Sequence, residues 1–412
     1  MSDPLTFATT RMISPRQVFL MALSCALAVS PIYYHQPLLP QIASTFAVPA
    51  ARGSLIATVT QLGYAMGLLL FVPLADGVQA RTLASRAITA NAVALIACAA
   101  APSFFVLATC SFLVGMSAIS AQIIIPAVSG SATPAMRGRI VGSLLGGLSS
   151  GVLLARTLSG VIGALLGWRS IFVIASTIDL ALLVVIRELP VSTTLVTIRY
   201  RELMRSLADL VREERLLRVS ATMGFLVFAA FSALWATLAA LLARPPYHYG
   251  PATIGPFGLV GLIGLSVSPQ LGAIVDRIGA RTIASAGALT ITVSFAFVAA
   301  GGRSVAWLLV GMVLLDLGNR ASFIANQARI YALRPEARSR LNTVYMVSYF
   351  LGGAFGAALG GVGALRGAWF GLAAVGVLLS LAAVAVNAFA YCRTSSALTG
   401  AQTYAGPVDD AG

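Results

Sequence analysis

Ala75-Asp76-Gly77-Val78-Gln79-Ala80-Arg81-Thr82-Leu83-Ala84-Ser85 recurs 200 positions later as Val275-Asp276-Arg277-Ile278-Gly279-Ala280-Arg281-Thr282-Ile283-Ala284-Ser285. An aspartate, an arginine five residues on and the run Thr-(Leu/Ile)-Ala-Ser keep their register in both copies. Shifting the offset by one residue pairs Pro134, Arg137 and Arg139 with Pro335, Arg338 and Arg340. The same register then pairs Gly151 with Gly352, Gly160 with Gly361, and Trp168 with Trp369. A correspondence this long means a chain built from two like halves.

The composition places those halves in a lipid bilayer. Hydrophobic residues make up 58% of the 412 and charged residues 10%, against about 25% charged in an ordinary soluble domain. Apolar stretches of roughly 20 residues, the length that crosses a hydrocarbon core, recur at 17–40, 54–74, 82–101, 104–131, 140–165, 170–186, 219–243, 254–275, 282–300, 305–333, 341–365 and 368–391. These twelve spans predict an all-α membrane protein of two pseudo-symmetric six-helix bundles. Related by an axis along the membrane normal, such bundles leave a cavity between them near the midplane. Arg11 and Arg16 precede the first apolar run like the start of a signal peptide. The run is too long for that, and many like it follow, so it reads as a retained first helix.

All 27 basic residues are arginine, and the net charge is +14. Nucleic acid is excluded as a partner, because a surface this apolar presents no phosphate-binding face to water. The arginines sort instead by side of the membrane. With the N-terminus inside, the cytoplasm receives Arg11, Arg16, Arg81, Arg86, Arg137, Arg139, the group between Arg187 and Arg218, Arg277, Arg281, Arg334, Arg338, Arg340 and Arg393. The outside receives Arg52, Arg169, Arg244, Arg303 and Arg366. The positive-inside rule therefore puts both termini in the cytoplasm, consistent with an even number of spans.

The longest polar stretch divides the chain into an N-terminal six-helix half at 1–187, a cytoplasmic linker at 188–218, and a C-terminal half with a short tail at 219–412. Within the linker Leu203, Met204, Leu207, Leu210 and Val211 recur at helical spacing between charges, which predicts an amphipathic helix on the inner membrane surface. Cys25, Cys98, Cys110 and Cys392 lack metal-ligand spacing, and His35 and His248 form no cluster. No disulfide framework, metal or cofactor is expected.

On these residues the whole chain resembles the major facilitator superfamily. Gly272-Ala273-Ile274-Val275-Asp276-Arg277-Ile278-Gly279-Ala280-Arg281 is similar to the loop motif between the second and third helices of each half in that family. The first-half copy keeps Asp76 and Arg81 but has Gly77 for a usual arginine and Gln79 for a usual glycine. The resemblance implies a cytoplasmic latch favouring the outward-facing state. A carboxylate ending one helix would face the positive start of another, Asp76 near Arg340 and Asp276 near Arg139, with Arg81, Arg277 and Arg281 alongside.

Within the superfamily the chain looks most like bacterial proton-linked exporters of drugs, sugars and nucleosides. The segments that carry this are Tyr33-Tyr34-His35-Gln36-Pro37-Leu38-Leu39-Pro40, Thr60-Gln61-Leu62-Gly63-Tyr64, Leu154-Ala155-Arg156-Thr157 and Asn326-Gln327-Ala328-Arg329-Ile330-Tyr331-Ala332-Leu333-Arg334-Pro335-Glu336. Two departures stand out. Ser111 occupies the position of a fourth-helix arginine found in many proton antiporters, and Gly151-Val152 replaces the fifth-helix Gly-Pro, with Arg156 slightly later.

Arg156, Asp179, Asp316 and Arg320 fall inside apolar spans, where a charge must face a cavity or a partner. Asp316 and Arg320 share a helix face at i, i+4 with Asn319 beside them. The resemblance puts the first, fourth, seventh and tenth helices around the central cavity, which makes Asp316 the expected carrier of a proton or cation. A pair that separates during a transport cycle switches proton affinity; a permanent structural ion pair is the alternative. Arg156 is expected as an anion contact or a counter-charge to Asp316 or Asp179, with a fixed packing pair as the equal alternative; Asp179, on a peripheral sixth helix, is a further candidate for proton or substrate coupling, with a structural role the leading reading. Tyr34, His35, Gln36, Gln61, Tyr64, Gln122, Asn326, Gln327, Tyr345 and Tyr349 supply candidates for lining a mixed-polarity cavity, and for any single one ordinary interhelical hydrogen bonding is the better account. His35 lies near the outer end of the first helix, where a lipid-interface or rim position is expected over proton relay.

The expected function is secondary active transport of a small organic molecule, coupled to protons, by a chain working as a monomer. Export is the leading direction and import of a metabolite the competitor, because a fold does not fix direction. A non-transporting sensor would carry a soluble signalling domain. An enzyme or ATP-driven pump is excluded by the absence of a phosphate loop, in a chain without lysine, and of a His-Glu-x-x-His motif. Two buried arginines match two buried aspartates, which favours neutral, zwitterionic or anionic substrates over cationic drugs.

Overall fold

The computed structural model describes residues 14–131, 134–189, 200–334 and 337–404. Helices dominate it. Eleven described segments are long and apolar enough to cross a membrane: Pro15–Thr45, Ser54–Ala75, Ala80–Ala100, Phe104–Gly130, Gly138–Leu166, Trp168–Ile186, Arg215–Leu242, Pro251–Ser268, Ala280–Ala300, Val305–Tyr331 and Arg338–Ala390. The last contains two spans. Gly367 and Ala368 leave helical geometry, and Gly363 lies against the backbone of Gly371, so the chain doubles back there. The twelve-span architecture expected from the sequence is the one observed.

The chain packs as two compact units, one of Met1–Arg205 with Trp235–Leu265, the other of Ser206–Leu234 with Ser266–Gly412. In the first unit, the opening span starts with a capping box in which the Ser14 hydroxyl accepts from the Gln17 amide while the Gln17 side chain accepts from the Ser14 amide. That helix ends at Val29. Pro31, Pro37 and Pro40 then break the span into 3-10 turns at Ser30–Ile32 and Gln36–Leu38 and a short helix at Leu39–Thr45. Proline removes a donor and clashes with the preceding turn. Irregular backbone at membrane depth survives only where protein covers it, and residues 30–39 are all buried.

The repeat predicted from the sequence has a packing counterpart inside each unit. In the first, the backbone at Gly151 of the fifth span lies against Ala26 of the first, and the Ser30 hydroxyl donates to the Gly151 carbonyl at 3.1 Å. In the second, Gly352 of the eleventh span lies against Phe225 of the seventh. At both positions a side chain would drive the two backbones apart, which is why glycine recurs there. Trp168 and Trp369, the third pair, are both buried at the start of the spans that follow. Arg169 then donates to the carbonyls of Ala99 (2.6 Å) and Ala101 (3.0 Å) at the end of the third span, satisfying helix-terminal acceptors.

The linker helix forms at Tyr200–Glu213; residues 190–199 lie outside the described set. Its apolar face does not lie open to lipid as the membrane-surface expectation required. Leu203, Leu207 and Leu210 are buried in the protein, while Val211 is exposed. Leucines at this spacing serve a protein neighbour as well as a bilayer, so the pattern alone does not separate the two. In the second unit Arg334 reaches Glu214 (2.7 Å) and Glu213 (2.9 Å) at the end of this helix. The hydrogen bond it donates to Glu213 leads in holding the guanidinium above its ordinary proton affinity.

Candidate functional site

The tenth span gathers polar residues along one face of the second unit. Asp316 is buried, and its Oδ2 accepts from Arg320 Nε at 2.8 Å, as the i, i+4 spacing predicted. One turn away, Asn319 Oδ1 accepts from the Tyr349 hydroxyl of the eleventh span at 3.1 Å. Tyr349 stacks on Phe228 with ring centroids 3.9 Å apart and meets Phe323 edge-on at 5.2 Å. Further along, Asn326 donates to the Ser322 carbonyl at 2.9 Å, and Gln327 donates to Asn342 at 3.2 Å. Tyr345 is wholly buried against Gly224, and its hydroxyl has no hydrogen-bond partner among the described residues.

The first unit holds a different arrangement. Arg156 is 3% exposed, and its Nε donates to Gln36 Oε1 at 2.6 Å. Its guanidinium lies 3.9 Å from the centroid of Trp235 and 4.9 Å from that of Tyr33. Two aromatic faces supply the negative quadrupole a desolvated cation needs. A small crevice of about 10 Å³, water-sized, lies beside it, lined by Arg156, Gln36, Pro37, Trp235, Leu238 and Ile254 among others. Elsewhere in the unit Gln61 and Tyr64 are buried, and Gln122 donates to the Tyr64 hydroxyl at 3.4 Å. Tyr34 is buried beside Ser30.

Two expectations change. His35 is 3% exposed, with Nε2 lacking a hydrogen-bond partner among the described residues; the proline-broken segment folds it inward instead of leaving it at a rim. Asp179 is 2% exposed and is not the counter-charge of Arg156, which turns to Gln36 and the two rings. Trp235 and Tyr33 were missed as partners of Arg156. Trp235 lies 79 positions from it in the sequence, and no spacing rule connects them.

For the proposed latch, Arg81 Nη2 donates to the Leu189 carbonyl at 2.7 Å. Asp276, Arg277, Arg281 and Arg139 are exposed, and Arg340 is partly so. The side chains of Asp76 and Arg137 lie outside the described residues. The two loop copies differ in backbone: Gly279 has φ +97°, whereas Gln79 has φ −52°. The glycine of the second copy sits where a side chain is strained, and the first copy escapes the need for glycine by adopting another conformation.

Twelve apolar spans, an internal repeat and charges enclosed within the helices define a multi-pass membrane transport protein. The Major Facilitator Superfamily model matches residues 18–301, and the chain belongs to that family. It is 36% identical over 370 residues to the uncharacterized transporter YgaY of Escherichia coli O157:H7, covering 90% of this chain and 94% of that one. A Streptomyces coelicolor protein named probable transporter SCO4007 is 32% identical, covering 85% and 84%. Among solved structures the fold is similar to that of a mutant form of the nucleoside transporter NupG, with a TM-score of 0.71 at 13% identity over 90% of this chain and 99% of that one. The chain is a transporter, not an enzyme.

Proposed function

We propose that this transporter is a proton-coupled exporter of a small organic molecule, working as a monomer by alternating access in a bacterial inner membrane with both termini cytoplasmic. The halves 1–187 and 219–412 are the moving parts and 188–218 joins them. The observation that carries the coupling is the Asp316–Arg320 pair, a carboxylate and a guanidinium 2.8 Å apart on one face of a membrane span. Such a pair stores a switch. Closed, the carboxylate has its positive neighbour; opened, it takes a proton instead. Asn319 and Tyr349 stand beside it, and Gln36, Gln61, Tyr64, Gln122, Asn326, Gln327 and Tyr345 supply polar contacts for substrate. Arg156, beside the crevice, favours neutral, zwitterionic or anionic substrates. Asp76, Arg81, Asp276, Arg277, Arg281, Arg139 and Arg340 form the cytoplasmic latch.

The test is efflux of a mixed panel of dyes, antibiotics, sugars, nucleosides and amino acids from cells lacking their main pumps. Wild type is compared with Asp316→Asn, each with and without an uncoupler. Faster loss of some compound in wild type, abolished by both the uncoupler and the mutation, supports the reading. Accumulation of that compound in wild type instead reverses the direction to import.

A further inference from the structure

Asp179 is an acid for which the Asp316 scheme has no use. It sits midway along the sixth span, 2% exposed. Its Oδ2 has no hydrogen-bond partner, and no cation lies within ion-pair distance, among the described residues. The candidate cations are committed elsewhere. Arg156 of the fifth span reaches Gln36, Tyr33 and Trp235, and Arg169 at the outer end of the sixth span holds the carbonyls of Ala99 and Ala101. Third-span residues packed on the sixth include Ala92, whose carbonyl accepts from Ser176, and no third-span cation forms an ion pair with Asp179 among the described residues.

A carboxylate enclosed in a membrane span has three ways to be tolerated: a cation, several donors, or a proton. Among the described residues no cation pairs with it, and its Oδ2 has no donor. The helix that carries Asp179 packs against the third span, where the Ser176 hydroxyl donates to the Ala92 carbonyl, and helix packing leaves no water-filled route to an enclosed carboxylate. We propose that Asp179 is a second proton-binding site of the transport cycle, holding a proton while enclosed and releasing it when the cycle opens the packing around the sixth span to water. One O–H bond forms at the carboxylate and its charge goes from −1 to 0; the proton comes from water and returns to water.

This inference rests on the proton-coupled reading, and the first readout does not depend on transport. Infrared spectra of the purified, folded transporter at neutral pH are recorded for wild type, Asp179→Asn and Asp316→Asn. A protonated-carboxyl band is expected in wild type, kept in Asp316→Asn and lost in Asp179→Asn. A spectrum of Asp179→Asn identical to wild type in that region overturns the site. In proteoliposomes, Asp179→Asn is expected to move substrate down its gradient but to lose the response to an imposed pH gradient, and Asp179→Glu to regain it. A full pH response in Asp179→Asn removes the group from the cycle. If the band is present and no variant moves any substrate, the proton site stands and the exporter reading fails.

Discussion

Two aspartates, both enclosed in membrane helices, are accommodated in opposite ways. Asp316 in the second unit has Arg320 one turn away and a 2.8 Å contact to it. Asp179 in the first unit has no cation and no donor at Oδ2 among the described residues. The difference teaches that burying a carboxylate is two separate problems. A partner on the same helix neutralises it locally and leaves a dipole that can be opened. A partnerless site leaves neutralisation to a proton, and the packing around it then controls when that proton can leave.

The contrast predicts unequal costs. Asp316→Asn leaves the Arg320 guanidinium beside a neutral amide, and removing one partner of a largely buried pair is expected to cost about 3 kcal/mol. Thermal unfolding of the purified protein checks this; an unchanged midpoint means the pair contributes nothing. The double variant Asp316→Asn/Arg320→Gln removes both charges and is expected to recover roughly 1 kcal/mol or more of that loss, a coupling that a double-mutant cycle measures directly. Strictly additive effects would break the pairing argument.

Next in size is the Arg156 clamp. Trp235→Leu deletes the nearer aromatic face, and a desolvated cation–π contact is worth about 1–2 kcal/mol. The measurement is the unfolding midpoint of Trp235→Leu alone and combined with Arg156→Gln; the combined loss is expected to be smaller than the sum of the two. The smallest stability effect is expected at Asp179→Asn, under about 1 kcal/mol, because an amide replaces a neutral acid of nearly equal shape. A loss as large as that of Asp316→Asn would show that the two sites are not alternatives after all.

How far the sequence disclosed this molecule depends on the range of the interaction. The twelve spans and the Gly151–Gly352 and Trp168–Trp369 pairings were legible, because hydropathy and self-similarity need no knowledge of tertiary contacts. The Asp316–Arg320 pair was legible for the same reason, four residues apart on one helix. The surroundings of Arg156 were not: Tyr33 and Trp235 reach it from other spans, and a single sequence carries no distance information between spans. His35 was placed wrongly because three prolines fold residues 30–39 into the protein instead of letting the helix run straight to the surface. The linker helix was found, but leucines covered by protein and leucines resting on lipid look alike in one dimension.

Proton-coupled export is tested most directly in proteoliposomes of the purified protein that enclose a pH-sensitive dye, using a compound identified by the efflux panel. Proton movement opposite to the compound, present in wild type and absent in Asp316→Asn, is the predicted result. Substrate flux without proton movement, or protons travelling in the same direction as the substrate, would contradict it.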